Sequence, residues 1–100
     1  MNLHGIEIDT GRLAAFCHER GISSLRLFGS ILRDDFGPDS DIDVLVEFAP
    51  GRVPGLAFFQ IQEELAVLFG RKVDLHTPGF LSPYFRQQVL DEAEVLYDAA

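Results

Sequence analysis

The chain has 100 residues, of which 47% are apolar, and a formal net charge of −8 at pH 7. This length is typical of one domain with one core, so we expect a single domain over residues 1–100. The excess of acidic residues argues against direct binding to nucleic acid or to an anionic membrane, because such binding relies on Lys and Arg to neutralise phosphates. An acidic protein can still bind a nucleotide when a divalent cation lies between its carboxylates and the phosphates.

The cysteine content and the N-terminal residues bear on cellular location. Cys17 is the only cysteine, so no internal disulfide can form, and a reducing cytoplasm is the simplest compartment. The N-terminus lacks the basic start and apolar run of a secretory signal. No apolar stretch approaches the ~20 residues that a membrane helix needs. We therefore expect a soluble, cytoplasmic protein with Cys17 in its core.

The first predicted element is a helix. Residues 9–20 carry apolar side chains at helical spacing, Thr10 is placed to cap the N-terminus, and Gly21 follows the last turn. His4 precedes this helix, in what we expect to be a loose terminus.

A strand, a glycine turn and a second strand follow. Residues 25–28 predict a short strand that stops at Gly29, and Ser30 is placed to cap a helical turn that runs to Arg33. After a polar, turn-rich loop, residues 41–48 predict the clearest strand of the chain. Its middle is continuously apolar, which is typical of a central strand that is covered on both faces.

The second half of the chain predicts two helices and two strands. Apolar residues recur at intervals of three and four over residues 58–68, which predicts an amphipathic helix that ends near Gly70. Residues 72–76 predict a strand, and residues 95–97 predict a final edge strand. A helix begins at Ser82-Pro83, with the serine hydroxyl as cap. We expect its buried face to be formed by Leu81, Phe85 and Val89.

This order of elements is that of an α/β or α+β domain with a small sheet of about four strands.

Three aspartates stand at unusual places in these strands. Asp41 and Asp43 are two residues apart, so both project from one face at about 7 Å between Cα atoms. Asp74 lies between aliphatic residues on the third strand, and the three acids converge if that strand lies beside the Asp43 strand. Carboxylates this close repel one another unless a cation lies between them. Two Mg²⁺ ions about 3.5–4 Å apart would compensate the charge of these carboxylates. They would also position the reacting groups for an in-line phosphoryl or nucleotidyl transfer.

A purely structural interpretation of the acids is also open. Asp39, Ser40 and Asp41 form a stretch whose side chains can cap local backbone amides. Asp74 also has ordinary ion-pair candidates close in sequence, namely Arg71, Lys72 and His76. We interpret His76 as a hydrogen-bonding neighbour rather than a functional residue.

The Gly-Ser turn has the chemistry of an anion site. Gly29 lets the backbone approach a ligand closely, and the amides that follow it point at an anion. Ser30 adds a hydroxyl donor, and Arg33 could hold a phosphate one turn later. A strand-to-helix Gly-Ser is also common as a simple cap. Its position eleven residues before Asp41 favours a role in nucleotide binding.

Three separated motifs occur in order: Gly29-Ser30-x-x-Arg33, Ser40-Asp41-x-Asp43-x-Leu45-Val46 and Val73-Asp74-Leu75. Together they resemble the signature of the minimal nucleotidyltransferases of the polymerase-β superfamily. Those proteins are the small partners of HEPN-domain proteins in bacterial and archaeal toxin–antitoxin pairs. The resemblance extends over about residues 25–97 and implies a polymerase-β-like nucleotidyltransferase fold with a small mixed sheet.

The resemblance also implies roles for individual residues. Asp41 and Asp43 would ligate Mg²⁺, and Asp74 would complete the metal site and help to deprotonate the attacking hydroxyl. The residues that would bind the triphosphate of ATP and stabilise its charge are Gly29, Ser30 and Arg33.

The function implied is Mg²⁺-dependent transfer of AMP from ATP to a hydroxyl, a tyrosine, of a partner HEPN-domain toxin. This chain would then act as a type VII-like antitoxin. The alternative is a non-catalytic antitoxin that neutralises its partner by complex formation alone. Transfer to a small molecule such as an aminoglycoside ranks last, because enzymes of that kind carry an additional substrate-binding domain. The apolar helices also allow self-association or a stable hetero-complex.

Overall fold

A computed structural model of the chain describes residues 1–99. The helices are α1 (Thr10–Arg20), α2 (Ala57–Phe69) and α3 (Pro83–Glu92). The strands are β1 (Asn2–Leu3), β2 (Ile6–Glu7), β3 (Ile22–Phe28), β4 (Ile42–Phe48), β5 (Val73–His76) and β6 (Glu94–Asp98). Within residues 1–99, no helix combines the length and apolar character needed to cross a membrane.

Four of the strands form one mixed sheet, in the order β5-β4-β3-β6. Strand β3 pairs antiparallel with both β4 and β6, whereas β4 pairs parallel with β5. The parallel pair is joined through α2, as a crossover connection requires. The predicted α/β (α+β) class, the small mixed sheet and the final edge strand are confirmed.

The sheet has one face in the main core and one face that carries polar groups. Successive strand residues point to opposite faces. On β4, Ile42, Val44 and Val46 belong to the core cluster, which also contains Leu13 and Cys17 of α1. From α2, the buried residues Ile61, Leu65 and Phe69 join the same cluster. The side chains between the core positions of β4 therefore project from the other face, and Asp43 is one of them.

Helix α1 has the predicted extent, but a different residue caps it. Asp9, not Thr10, has the extended backbone of an N-cap, and its Oδ1 accepts a hydrogen bond of 3.0 Å from the amide of Arg12. At the other end Gly21 adopts the left-handed conformation (φ 70°), and its amide donates to the carbonyls of Cys17 and His18. The predicted glycine stop is confirmed, and the predicted Thr10 cap is wrong by one residue.

The N-terminal segment is ordered by a small hairpin, so the expected loose terminus is wrong. Strands β1 and β2 pair antiparallel around a turn in which His4 and Gly5 both have positive φ, 53° and 80°. His4 Nε2 lies 2.8 Å from the carbonyl oxygen of Ile31, and its ring contacts that of Phe36 at 5.0 Å between centroids. These contacts attach the hairpin to the segment that follows Gly29.

Helix α3 begins after Ser82 as predicted, but the capping hydroxyl and the buried face were wrong. The side chain of Ser82 makes no capping hydrogen bond within the described residues. None of the residues of α3, all of which the structure describes, is buried, and Phe85 is 62% exposed. The regularly spaced apolar side chains of this helix therefore line an open groove and do not pack into the core.

Candidate functional site

The glycine turn lies directly against an aspartate of the neighbouring strand. Strand β3 ends at Phe28, and the chain continues at Gly29 (φ 77°) into a short 3₁₀ turn, Gly29–Leu32. A Cβ atom added to Gly29 would overlap the carboxylate of Asp43. Both the left-handed backbone and this contact require glycine at position 29. Ser30 lies inside the turn and does not cap it, because Phe28 occupies the N-cap position.

Asp43 and Asp74 are side by side on adjoining parallel strands. They are register partners in the pairing of β4 with β5. Asp43 has 28% of its side chain exposed and Asp74 has 53%. One ligand atom of each, together with a ring nitrogen of His76, lie within 4.8 Å of one another. The sheet thus brings two of the three predicted acids together on its polar face.

His76 belongs to this cluster as a neighbour of Asp74, which agrees with our interpretation of the sequence. Its Nε2 lies 3.1 Å from Asp74 Oδ2 and 4.0 Å from Asp43 Oδ1. The ring also meets Phe28 edge to face, with 5.3 Å between centroids. Residues two apart on a strand share a face. The alternation of side chains along β5 therefore places His76 beside Asp74. The approach of His76 to Asp43 depends in addition on the pairing of β5 with β4.

Asp41 lies one residue before β4 and is placed differently. Its Oδ2 is 3.9 Å from Lys72 Nζ. It is not a member of the three-residue group formed by Asp43, Asp74 and His76. Its negative charge nevertheless acts on Asp43. Asp41 therefore flanks the pair, and its predicted role as a metal ligand stays a prediction.

The electrostatics of Asp43 are those of a carboxylate in a crowded acidic site. Burial raises the pKa of Asp43 above its ordinary value, and the charges of Asp74 and Asp41 raise it further. His76 and Arg33 act in the opposite direction. Burial and like charges both disfavour the ionised form. A cation at this place would favour the ionised form of Asp43, so the electrostatics of the site suit a bound cation.

Arg71 holds the loop that leads into the acids. Its Nη2 donates to the carbonyl oxygens of Gly37 and Ser40, at 2.8 Å and 2.6 Å. Its guanidinium also lies over the ring of Phe36, 4.7 Å from the centroid. The sequence suggested Arg71 as an ion-pair partner of Asp74, but its donors are turned toward the loop. Arg71 therefore fixes the backbone immediately before Asp41.

Two of the three predicted phosphate-binding residues, Gly29 and Arg33, line one groove. A groove of about 540 Å³ is bordered by Gly29 and Arg33 on one side and by α3 on the other. Arg33 is exposed, and its Nε lies 3.4 Å from Asp35 Oδ1. A pair this exposed contributes little to stability, so the guanidinium is available to an anion. The roles of Gly29, Ser30 and Arg33 toward a nucleotide stay predictions. The groove supports those of Gly29 and Arg33, whereas Ser30 lies within the turn and does not line the groove.

The donor set fits a divalent cation. Carboxylate oxygens are the ligands that Mg²⁺ prefers, and it is commonly bound through one or two carboxylates together with substrate phosphates. Asp43 and Asp74 supply two such carboxylates within one small cluster. Burial is the main cause of the raised pKa of Asp43, and the charges of Asp74 and Asp41 add to it. Asp43 and Asp74 are therefore the residues that would hold the ion, with Asp41 beside them.

Comparison with known proteins agrees with the fold. The nucleotidyltransferase domain family matches residues 12–96. The protein adenylyltransferase MntA of Thermococcus cleftensis is 36% identical over 73 residues, which are 72% of each chain. A proposed protein adenylyltransferase of Methanocaldococcus jannaschii is 37% identical over 78 residues, which are 76% of each chain.

Solved structures with the same fold are also similar. The structure of a proposed minimal nucleotidyltransferase is 36% identical, with a TM-score of 0.70 over 84% of this chain and 85% of that chain. A toxin–antitoxin complex with AMP-PNP aligns with a TM-score of 0.72 over 91% of this chain and 74% of that chain. At 22% identity, the second likeness concerns the fold alone.

The sheet order, the paired aspartates and the family match define a nucleotidyltransferase. The chain belongs to the nucleotidyltransferase domain family, and within it to the minimal nucleotidyltransferases.

Proposed function

We propose that the protein transfers AMP from ATP to a tyrosine hydroxyl of a HEPN-domain partner and, by doing so, acts as the partner's antitoxin. The observation that carries this proposal is the register pairing of Asp43 with Asp74 beside the Gly29 turn. Relatives at 36% and 37% identity are named as protein adenylyltransferases. Solved structures of the same fold include a HEPN toxin, tri-AMPylated, in complex with its antitoxin.

The proposed reaction is a nucleotidyl transfer. The acceptor oxygen forms a bond to the α-phosphorus of ATP, the bond from that phosphorus to the bridging oxygen of pyrophosphate breaks, and pyrophosphate leaves with the electron pair. The hydroxyl proton goes to the carboxylate of Asp74, which lies at the open edge of the cluster with 53% of its side chain exposed. His76, at 3.1 Å from that carboxylate, orients it.

The other site residues position the nucleotide. The amides that follow Gly29 and the hydroxyl of Ser30 would donate to the triphosphate, and Arg33 would balance its charge across the groove. Asp43, Asp74 and Asp41 would hold Mg²⁺. When bound, the ion neutralises charge on the phosphates and orients them for in-line displacement. Catalysis of this kind is mostly positioning and charge stabilisation.

The proposal is tested by incubating the purified protein with a HEPN-domain protein from the same organism, Mg²⁺ and ATP labelled at the α-phosphate. We expect label on the partner, at a tyrosine located by peptide mass spectrometry. We expect none with ATP labelled at the γ-phosphate or without a divalent cation. Absence of α-label across nucleotides and divalent metals would refute the transfer.

The same assay separates transfer from neutralisation by binding alone. Asp43→Asn removes one charge of the central pair and leaves the shape of the side chain unchanged. If transfer is the mechanism, this variant binds the partner but does not neutralise it. Full neutralisation by Asp43→Asn in cells would instead favour the non-catalytic alternative.

We further propose that residues 1–100 act as one domain in the cytoplasm, where ATP and a protein partner are both present.

A further inference from the structure

A second groove, of about 540 Å³, lies beside the acidic cluster, and the motifs of the sequence did not predict it. Its walls include four phenylalanines, and Asp74, His76 and Thr77 also line it. We define the aromatic groove as the cavity formed by Phe48, Phe58, Phe59 and Phe80. We propose that the aromatic groove binds the ring of the acceptor residue and so selects tyrosine over serine or threonine. This inference rests on the proposed function, because it assigns the acceptor to one part of the same site.

The four rings form a connected set around Phe58. Phe58 meets Phe48, Phe59 and Phe80 edge to face, with 6.5, 5.8 and 6.0 Å between centroids. Edge-to-face arrangements at these distances are the favoured geometry of aromatic pairs. Another flat ring that enters the groove can extend this set with the same geometry.

The rim of the groove is exposed although it is strongly apolar. Phe59 is 64% exposed and Phe80 is 73% exposed, while Phe58 behind them is half-buried. Val53 adds a further exposed apolar side chain, at 77%. Apolar side chains that cluster at a concave surface indicate a binding site more often than scattered ones do.

The turn that carries Phe80 is held in place. Arg86 Nε donates to the carbonyl of Pro78 at 2.8 Å, and its Nη2 donates to the carbonyl of Leu81 at 3.2 Å. These two bonds bracket the short 3₁₀ turn Pro78–Phe80. The backbone that carries Phe80 is therefore fixed before any acceptor arrives, which reduces the entropic cost of binding.

The polar end of the groove suits a hydroxyl and not a phosphate. Asp74 is the carboxylate proposed to take the acceptor proton, and it lines both the groove and the acidic cluster. The amide oxygen of Gln62, another lining residue, is already occupied by the amide of Leu75 at 2.9 Å. Neither Lys nor Arg lines this groove within the described residues, whereas Arg33 lines the other groove.

The two grooves thus divide the substrates between them. Gly29 and Arg33 offer amide donors and a cation to the triphosphate, and the aromatic groove offers apolar walls that end at a carboxylate. A phenol matches that combination, since its ring fills the apolar walls while its hydroxyl reaches Asp74. The short side chains of serine and threonine would leave the walls empty and exposed to water.

Truncation of the rim tests the proposal with the complete protein and its partner. In Phe59→Ser and Phe80→Ser, exposed rings are removed, so the fold is retained. Tyr84→Ser is the matched control, because Tyr84 is an aromatic side chain that is 92% exposed and lines neither groove. We expect KM for the acceptor to rise at least tenfold in the two rim variants, with unchanged affinity for the non-hydrolysable analogue AMP-CPP. An unchanged KM in both rim variants, or a rise of the same size in Tyr84→Ser, would overturn the assignment.

A binding experiment without turnover separates this inference from the proposed function. The ¹⁵N-labelled protein is titrated with N-acetyl-tyrosinamide, N-acetyl-serinamide and AMP-CPP, and backbone amide shifts are followed. We expect the tyrosine amide to shift Gly55, Gln62 and Thr77, the serine amide to leave them unchanged, and AMP-CPP to shift Gly29 and Ser30 instead. Shifts of the aromatic groove by AMP-CPP would identify a nucleobase site and overturn the proposal, as would equal shifts by both amides. These outcomes do not depend on whether transfer is detected.

Discussion

The carboxylates of Asp43 and Asp74 lie side by side because the two residues are register partners on adjoining parallel strands. The sheet therefore holds the backbones of these two residues next to each other. The amide of Leu75 donates a hydrogen bond to the side-chain oxygen of Gln62, which attaches β5 to α2. Two acids on one polar face, beside a glycine that approaches one of them, form the geometry in which we propose that a cation and phosphates bind.

The first prediction concerns the stability of the metal-free protein. The raised pKa of Asp43 means that the folded protein binds its proton more tightly than the unfolded chain does. The protonated carboxyl group of Asp43 contributes fully to stability below its ordinary pKa of 3.8. This contribution is lost as the pH rises through the higher pKa that Asp43 has in the folded protein. Asp43→Asn should therefore raise Tm at pH 7 in the presence of a chelator. In a domain of this size, Tm changes by about 4–8 °C per kcal/mol.

The same Tm measurements are repeated with added Mg²⁺ in place of the chelator. A cation that binds only the folded state stabilises it in proportion to the logarithm of its concentration. Mg²⁺ should raise Tm of the wild type but have little effect on Asp43→Asn. The control is Asp39→Asn, on an exposed loop residue, which should behave as the wild type in both conditions. A lower Tm for metal-free Asp43→Asn than for the wild type would contradict the electrostatic account.

The second prediction concerns Gly29. Gly29→Ala places a methyl group against the Asp43 carboxylate and forces an L-residue to adopt φ 77°. The left-handed backbone alone costs about 1–2 kcal/mol, and displacement of Asp43 should lower the transfer rate about 10²-fold. Chemical denaturation and the labelled-ATP assay measure the two effects. Gly11→Ala, within helix α1, is the control and should stabilise the protein slightly without changing transfer. Equal activity of the two variants would argue against the close contact.

The third prediction concerns His4, which attaches the N-terminal hairpin to the turn after Gly29. His4→Ala removes the 2.8 Å contact with the Ile31 carbonyl and the ring contact with Phe36. We expect a loss of about 1 kcal/mol, the usual net value of one hydrogen bond, and weaker binding of ATP analogues. His18→Ala, at an exposed position of α1, should change neither Tm nor binding. Calorimetry of both variants decides whether the hairpin supports the turn.

The fourth prediction concerns Cys17, which is fully buried in the core. Burial raises the pKa of its thiol from 9.0 to about 12. Since the thiolate is the reactive form, a disulfide reagent at pH 8 should react with the folded protein far more slowly than with the unfolded protein. Stability should also fall as the pH rises from 9 toward 12, because ionisation then favours the unfolded chain. Rapid labelling of the native protein would show that this part of the core opens.

Local patterns predicted much of the fold. The run from Val44 to Val46 is continuously apolar, which predicted a central strand, and the spacing of Asp41 and Asp43 predicted that both acids project from one face. Gly21 and Gly70 end their helices as predicted, since both have positive φ. The acids were recognised because a carboxylate next to aliphatic strand residues is costly without a partner.

Features that depend on distant residues could not be predicted in the same way. The place of His76 depends on the parallel pairing of β5 with β4, and a single strand does not contain that information. The period of α3 predicted a buried face, but exposed Phe85 shows that apolar spacing does not specify what covers a helix. The aromatic groove was missed because its phenylalanines come from three separate segments of the chain.

The central claim is that Asp43 and Asp74 together hold the catalytic cation beside the nucleotide. Anomalous diffraction from crystals grown with Mn²⁺ and AMP-CPP tests it most directly, because Mn²⁺ also favours carboxylate ligands and can be located by its own signal. The account predicts a manganese peak in contact with both carboxylates, with the triphosphate beside Gly29, and loss of that peak in Asp43→Asn. A manganese ion bound away from Asp74, with the triphosphate elsewhere on the surface, would contradict it.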